Sequence, residues 1–307
     1  MNVLVTGGAG FIGSHVVRAL LADGHHVRVL DDLSSGFEAN LPSGATGLAF
    51  VRGSILDEAL VRQLAADTDG VVHLAAVASV QRSVEAPVAT TTTNLLGTVA
   101  LLAALPAERR PRVLFASSAA VYGPAEGRCR ERDPARPQSP YAADKAAGEL
   151  YLREAAERTG LRATALRFFN VYGERQDPRS PYSGVISIFA ARCLARAGVD
   201  VFGDGGQSRD FVYAGDVATV IAHALADERT DVPAVMNVAT GRSVTLLELV
   251  DALADVTGHA PPRTHHPDRP GDLYRSEADV STLRAYLPEL QVTALRDGLE
   301  RTVASMP

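Results

Sequence analysis

The chain lacks most features that mark secreted, membrane-bound or nucleic-acid-binding proteins. Its two cysteines, Cys129 and Cys193, are too few for a disulfide framework and have no metal-ligand spacing. The net charge is −6 without a basic stripe, which argues against nucleic acid as a partner. No charged-then-apolar leader precedes the first strand, and the longest apolar stretch, residues 95–105, is too short to span a bilayer. We therefore expect a cytoplasmic, reduced protein with no membrane partner and no metal.

What the chain does have is a regular alternation of short apolar runs and amphipathic segments. Strands are predicted at residues 2–6, 26–30, 48–51, 71–74, 113–117 and 163–167, and helices at 11–23, 57–65, 88–104 and 141–159. This alternation predicts an α/β fold, a doubly wound parallel sheet of the Rossmann type. Loops dominate after residue 167, with three helices predicted at 185–197, 245–257 and 292–304. We predict two domains: residues 1–167, to which 209–226 return, and a smaller, mostly helical and loop domain at 168–307.

The glycine-rich segment at the start of the chain predicts a dinucleotide site. Gly7 permits a tight turn after the first strand, Gly10 lets the backbone approach a pyrophosphate, and Gly13 allows close packing of helix on strand. A second strand ends at Asp31-Asp32, where a carboxylate is expected to accept hydrogen bonds from ribose hydroxyls. Two carboxylates without a nearby arginine would repel a 2′-phosphate, which favours NAD over NADP.

A tyrosine and a lysine four residues apart predict an acid/base group beside that cofactor. Tyr141 and Lys145 follow Ser139-Pro140, a typical helix start, and their spacing places both on one helix face. A phenol titrates near 10 in water, so a neighbouring cation is needed to make it a useful base. Upstream, an apolar strand ends at Ser117-Ser118, where Ser118 can donate a hydrogen bond to a substrate oxygen.

Taken together, the ordered motifs resemble a known family over nearly the whole chain. The motifs are Gly7–Gly13, Asp31, His73-Leu74-Ala75-Ala76, Asn94, Ser117-Ser118, Pro140-Tyr141 with Lys145, Arg167-Phe168-Phe169-Asn170-Val171-Tyr172-Gly173, Gly203 to Phe211, and Arg269-Pro270-Gly271-Asp272. They are similar to those of the extended short-chain dehydrogenase/reductases, specifically the nucleotide-sugar 4-epimerases of the UDP-glucose/UDP-galactose type.

The resemblance implies an NAD-dependent isomerase that inverts C4 of a UDP-hexose through a transient 4-keto intermediate. In that reading Tyr141 removes the proton of the 4-hydroxyl, Ser118 holds the oxygen, and Lys145 also holds the nicotinamide ribose. The resemblance assigns to NAD Gly7, Gly10, Phe11, Ile12, Gly13, Asp31, Asp32, Ser54, Ile55, Leu74, Ala75, Ala76, Asn94, Ala116, Tyr141, Lys145 and Phe168. It assigns to the nucleotide sugar Ser118, Tyr141, Asn170, Val185, Phe202, Arg209, Arg269, Asp272 and Ser276. A homodimer formed through the helices around residues 88–104 and 141–159 is also implied.

Several positions depart from the family pattern and narrow the choice of substrate. Ser54 replaces an aspartate that usually contacts the adenine amino group. Ala119-Ala120 stand where dehydratases and decarboxylases have an acid, and Asp177 would repel the carboxylate of a uronic acid. The small Ser276 would leave room for a 2-acetamido group, so UDP-GlcNAc/UDP-GalNAc are expected substrates beside UDP-Glc/UDP-Gal.

Two alternatives to an epimerase remain. One is a nucleotide-sugar dehydratase or net oxidoreductase of the same superfamily, which would lose water or consume the cofactor. The other is a non-catalytic NAD-binding regulator, which would be expected to lack Ser118, Tyr141 or Lys145; all three are present.

Overall fold

The computed structural model describes residues 1–178, 184–229, 231–268 and 273–306. Its strands are β1 (Asn2–Thr6), β2 (His26–Asp31), β3 (Leu48–Arg52), β4 (Gly70–His73), β5 (Arg112–Ser118), β6 (Ala163–Phe168), β7 (Asn170–Tyr172), β8 (Val199–Phe202), β9 (Ser208–Tyr213), β10 (Val235–Val238), β11 (Ser243–Thr245), β12 (Arg263–His266) and β13 (Arg275–Ser276). Its helices are α1 (Phe11–Ala22), α2 (Glu58–Ala65), α3 (Val80–Glu85), α4 (Pro87–Thr91), α5 (Gly97–Ala104), α6 (Pro140–Thr159), α7 (Val185–Leu194), α8 (Ala214–Ala226), α9 (Leu246–Thr257), α10 (Ser281–Tyr286) and α11 (Leu295–Ala304).

The large sheet has seven strands in the order β10-β6-β5-β4-β1-β2-β3. Strands β1 to β6 pair in parallel. The predicted doubly wound α/β fold is therefore confirmed. The chain order reverses between β1 and β4, and the crevice at the carboxyl ends of strands at such a reversal is the usual ligand site of this architecture.

Apolar side chains bury the central strands of this sheet on both faces, as parallel strands require. Val3, Leu4 and Val5 of β1 are at most 1% exposed, and Val113 and Leu114 of β5 are equally buried. A cluster of apolar residues from the strands, α2, α5 and α6 forms the core on one face.

The helical stretch Pro87–Ala104 differs from the plain helix predicted at 88–104. It consists of α4, a π-helical segment at Thr92–Leu96, and α5. Its 18 residues have a mean hydropathy of 1.2, so by length and composition alone this helix could cross a membrane, which the apolar run at 95–105 had not indicated. Helices of folded cores pass the same test, and here Asn94, Thr98 and Leu101 are buried against the sheet and α6.

The described chain divides into two compact units. The first comprises Met1–Val121, Ala135–Phe168 and Val217–Met236, and the second Tyr122–Pro134, Phe169–Asp216 and Asn237–Pro307. Besides its helices, the second unit holds a four-stranded sheet, β11-β9-β13 with β7 on β9, and the two-stranded sheet β12-β8, which the sequence had not indicated.

One detail of the predicted organisation differs from the structure. The strand within residues 209–226, β9, pairs in the four-stranded sheet, and β10 is the late strand that joins the large sheet. A run of only four residues with no alternating pattern gave no strand signal at β10. The two domain boundaries themselves stay a prediction.

Candidate active site

The glycine-rich segment makes a close turn between β1 and α1. Gly7 has φ +73°, and a Cβ there would lie 2.7 Å from the backbone nitrogen of Ala75. A Cβ on Gly13 would overlap the carbonyl oxygen of Gly7. Gly10 is the N-cap of α1 and has no side chain of its own to cover the amides at the start of the helix. This is the cradle that a pyrophosphate needs, since only glycines keep the space and the N–H groups open.

Asp31 is the last residue of β2, and its side chain forms a hydrogen bond with the glycine segment. Its carboxylate accepts hydrogen bonds from the backbone amides of Ala9 and Leu33, both at 2.9 Å. Burial raises the pKa of the Asp31 carboxyl, while the hydrogen bonds from Leu33 and Ala9 act in the opposite direction. Asp32 is exposed and accepts a hydrogen bond from the Ser34 amide at 2.9 Å. Asp31 is therefore the better placed of the two acids to fix a ligand beside the turn.

Further expected cofactor residues of the first unit lie after β3, in the π-helical segment, and on β5 and β6. Ser54 accepts a hydrogen bond from the Leu56 amide at 3.2 Å, and Ile55 is buried against Gly97, whose Cβ would lie 2.8 Å from it. Asn94 is 2% exposed and binds both polar groups of the Val77 backbone. Two further expected residues lie on the neighbouring strands β5 and β6: Ala116 and Phe168.

Ser118, Tyr141 and Lys145 come together at the end of β5 and the start of α6. The helix begins at Pro140 behind Ser139, whose hydroxyl accepts from the Ala142 amide at 3.2 Å. Burial raises the pKa of the Tyr141 phenol, and a hydrogen bond with Ser118 counteracts the rise. The ammonium of Lys145 lies 5.9 Å from the centre of the Tyr141 ring. Burial lowers the pKa of Lys145 to about 8, against the charge of Asp144, which raises it. The arrangement can pass a proton between a phenol, a hydroxyl and a ligand oxygen.

A buried ion pair that the sequence analysis missed holds α6 on the sheet. Arg167 of β6 makes two hydrogen bonds to the Glu149 carboxylate, at 2.8 and 2.7 Å, and the Ser117 hydroxyl donates to the same carboxylate at 2.5 Å. Gly148, the residue before Glu149, lets α6 lie close to the sheet. A Cβ at Gly148 would be only 2.6 Å from the ring of Phe115. The only sequence signal was the spacing of Glu149, four residues after Lys145 on the same helix face.

In the second unit, three of the expected substrate residues lie on one small sheet. Asn170 of β7 is in register with Phe211 of β9, and Arg209 of β9 is in register with Ser276 of β13. The side-chain amide of Asn170 donates to the backbone carbonyl of Asp210 at 3.1 Å. The guanidinium of Arg209 donates to the backbone carbonyl of Ser208 at 2.9 Å. These contacts place an amide, a guanidinium and a hydroxyl on adjacent strands.

The remaining substrate candidates are dispersed. Val185 is the first residue of α7, and Phe202 ends β8 with its ring stacked on His266 at 5.2 Å between ring centres. Arg269 and Asp272 lie outside the described residues. Across the described ranges, no three His, Cys, Asp or Glu side chains are grouped so that they could hold a metal ion.

Comparison with known proteins identifies the family. The model of the NAD dependent epimerase/dehydratase family matches residues 3–239, so the chain belongs to that family, as the sequence resemblance predicted. The UDP-glucose 4-epimerase of Mycolicibacterium smegmatis is 42% identical over 308 residues, 99% of this chain and 97% of that protein. The dTDP-glucose 4,6-dehydratase of Streptomyces niveus is 37% identical over 315 residues, 99% of this chain and 92% of that protein.

Solved structures are similar over the same length. The UDP-N-acetylglucosamine 4-epimerase of Methanobrevibacter ruminantium, in complex with UDP-N-acetylmuramic acid, has a TM-score of 0.93 at 38% identity and covers 99% of this chain and 97% of its own. The Thermus thermophilus UDP-glucose 4-epimerase, in complex with NAD, has a TM-score of 0.89 at 41% identity and covers 99% of this chain and 98% of its own.

Proposed function

We propose that the protein is a UDP-hexose 4-epimerase that retains its NAD. The observation that carries the proposal is the buried Tyr141 phenol, whose pKa the neighbouring Ser118 hydroxyl lowers, with the Lys145 ammonium 5.9 Å from the centre of its ring, in a chain of an NAD-dependent family. The 42% identity to a UDP-glucose 4-epimerase supports this choice of reaction. Bound NAD would supply the hydride acceptor and donor at C4 of the sugar.

The side chains of the first unit define the proton chemistry. Tyr141 would accept the proton of the 4-hydroxyl and return it after the sugar presents its other face, and Ser118 would hold that oxygen by a hydrogen bond. Burial raises the pKa of Tyr141 in the free protein, which disfavours the phenolate. The positive charges of Lys145 and of the nicotinamide ring would oppose that rise, because a nearby cation stabilises the phenolate. The turn of Gly7, Gly10 and Gly13, the acid Asp31, and the residues of the segments after β3 and β4 would bind the cofactor.

The residues of the second unit are proposed to bind the sugar nucleotide. The guanidinium of Arg209 suits the paired oxygens of a diphosphate, and Asn170 on the adjacent strand would add an amide donor. Ser276, in register with Arg209, is small enough to admit a 2-acetamido group. We therefore propose UDP-GlcNAc/UDP-GalNAc as substrates together with UDP-Glc/UDP-Gal, and a role in galactose and amino-sugar metabolism.

The test of the reaction is NMR of the purified protein with UDP-Glc, UDP-GlcNAc and UDP-GlcA, without added cofactor. The expected result is appearance of the C4 epimer from the first two and none from UDP-GlcA. Loss of water or net oxidation of the sugar would instead support the dehydratase or oxidoreductase alternative, which the alanines after Ser118 disfavour. Tyr141→Phe should lower turnover by at least about 1,000-fold, whereas Tyr151→Phe, at an exposed tyrosine of the same helix, should not.

A substitution at Ser276 tests the proposed range of substrates. Ser276→Tyr would fill the space proposed for the acetamido group, so turnover of UDP-GlcNAc should fall by at least about tenfold more than turnover of UDP-Glc. Wild-type activity confined to the unsubstituted hexoses would contradict the proposal for N-acetylated substrates.

We further propose that two copies associate through helices of the first unit. Val84 of α3, Val88 of α4, Leu96 of the π-helical segment and Leu150 of α6 are between 54% and 80% exposed, and these elements pack together. Four exposed aliphatic side chains on neighbouring helices favour a covered face. Light scattering should give a dimer for the wild type and a monomer for Val88→Asp/Leu150→Asp, and Leu194→Asp on α7 serves as the control.

We place this reaction in the cytoplasm. The thiols of Cys129 and Cys193 are both free and buried, which suits a reducing compartment. Fractionation of cells with an antibody against the protein tests this placement.

A further inference from the structure

His73 joins two threonines in the interior of the first unit. It ends β4 and is 2% exposed. Its Nδ1 lies 2.7 Å from the hydroxyl of Thr6, the last residue of β1, and its Nε2 lies 2.9 Å from the hydroxyl of Thr98 in α5. The imidazole therefore links two elements that flank β4.

The directions of these hydrogen bonds follow from the single hydrogen of each hydroxyl. Thr98 donates its hydrogen to the carbonyl of Asn94 at 2.5 Å, so its oxygen can only accept from Nε2–H of His73. A neutral imidazole then has an unprotonated Nδ1, which accepts from the Thr6 hydroxyl. Burial and the charge of Lys145 lower the pKa of His73 to about 3, which keeps the ring neutral at physiological pH.

Both ends of this chain of hydrogen bonds reach the same loop, residues 74–77. At one end the Ala75 amide donates to the Thr6 hydroxyl at 3.3 Å. At the other end Asn94 accepts from the Val77 amide at 2.7 Å and donates to the Val77 carbonyl at 3.3 Å. Because Ala75 packs directly on Gly7, the position of this loop also sets the position of the glycine turn.

The helix that carries Asn94 is distorted at this point. Thr92–Leu96 is a π-helical segment within an otherwise α-helical stretch, and such turns are frequent at functional sites. The Thr98 hydroxyl reaches the Asn94 carbonyl from four residues further along, where it can support the widened turn.

We propose that Thr6, His73 and Thr98 are positioning residues that, through Asn94, hold the loop 74–77 in the geometry that binds NAD. A neutral histidine with one fixed tautomer suits this position because it donates from Nε2 to Thr98 and accepts at Nδ1 from Thr6. Each hydroxyl in this series of hydrogen bonds then donates in one direction only. The inference rests on the proposed function, since it takes residues 74–76 and Asn94 as part of the NAD site.

Thr98→Val removes the acceptor for His73 and the donor for Asn94 at nearly constant volume. We expect its affinity for NAD to fall at least about tenfold, and Thr98→Ser, which keeps the hydroxyl, to remain within about threefold of wild type. Thr68→Val is the matched control, because Thr68 is equally buried and donates to the carbonyl four residues earlier, Leu64, at 3.0 Å, outside the chain of hydrogen bonds. It should leave NAD affinity unchanged while losing a comparable hydrogen bond.

The measurements are NAD content of the purified proteins, NAD affinity by calorimetry after removal of bound cofactor, and urea unfolding. Equal NAD affinity of Thr98→Val and Thr68→Val would overturn the inference, while wild-type NAD binding and epimerisation would leave the proposed function standing. A wild type that binds no NAD would overturn both.

Nitrogen-15 NMR of the histidine rings gives a readout independent of activity. The His73 signal, identified by its loss in His73→Gln, should show the Nε2–H tautomer unchanged from pH 8 to pH 5. In Thr98→Val the Nε2 shift should change, because its acceptor is gone. An Nδ1–H tautomer in the wild type would contradict the assigned directions and overturn the inference.

Discussion

The burial of a neutral histidine predicts a specific acid sensitivity of folding. The pKa of His73 is about 3 in the folded protein, against 6.5 for an ordinary histidine. Between these values the unfolded chain binds more protons than the folded one, so stability falls as the pH falls. At pH 5, about 1.5 units below the unfolded value, the loss is about 2 kcal/mol, and it approaches about 5 kcal/mol below pH 3. At pH 7.5 His73 is neutral in both the folded and the unfolded protein, so none of this stability is lost.

The assay compares wild type with His73→Gln, whose side chain does not titrate, by urea unfolding at pH 7.5 and pH 5.0 with the same free NAD. Wild type should lose about 2 kcal/mol more than the variant between the two pH values. Buried carboxyls whose pKa is raised, such as Asp144 and Asp210, change stability in the opposite sense, but they do so in both proteins. The variant is expected to be less stable at both pH values because it breaks the hydrogen-bond chain, and only the difference in pH dependence is diagnostic. Equal pH dependence of the two proteins, within about 0.5 kcal/mol, would refute the reasoning that His73 is buried in its neutral form.

Three further predictions follow from the contacts of the first unit. Gly13→Ala would place a Cβ on the Gly7 carbonyl, so the purified variant should retain little NAD, measured by absorbance after extraction. Glu149→Gln leaves the buried charge of Arg167 without its partner and should cost about 3 kcal/mol in urea unfolding, whereas Glu154→Gln, which breaks the exposed pair with Arg158, should cost less than about 1 kcal/mol. Because the pKa of Lys145 is about 8, kcat should decline above about pH 8. The charge of Asp144 raises that pKa, so Asp144→Asn should move the decline to lower pH. An unchanged pH profile in Asp144→Asn would contradict the effect of Asp144 on Lys145.

The elements around the candidate site could be predicted because their signals are local. A glycine turn between an apolar strand and an amphipathic helix is encoded within a dozen residues, and the pair Tyr141 and Lys145 within a single helical turn. The strand ends at Asp31 and Ser118 were equally readable, because parallel strands are buried on both faces and end where polar residues begin. For these residues the sequence predicts both the type of element and its boundary to within a residue or two.

The pairings that the sequence analysis missed join residues that lie far apart in the chain. Thr6 and His73 are 67 residues apart, and Ser117 and Glu149 are 32 apart. Their side chains are common in strands and helices, so composition and spacing give no reason to pair them. The π-helical segment is likewise invisible in the sequence, because its residues suit an ordinary helix and the widened turn depends on tertiary hydrogen bonds.

The loop at residues 74–77 shows why such partners are needed. Its side chains, Leu-Ala-Ala-Val, contain no polar atom, and small residues there leave room for a cofactor to approach the backbone. A loop without polar side chains can form hydrogen bonds only through its backbone N–H and C=O groups, and Thr6 and Asn94 bind those groups here. The hydrogen bonds that hold this loop therefore come from the side chains of Thr6 and Asn94, which lie outside it. We accordingly expect Thr98→Val, which removes the hydroxyl, to weaken NAD binding measured by calorimetry more than substitution of the loop's own Ala76 by serine.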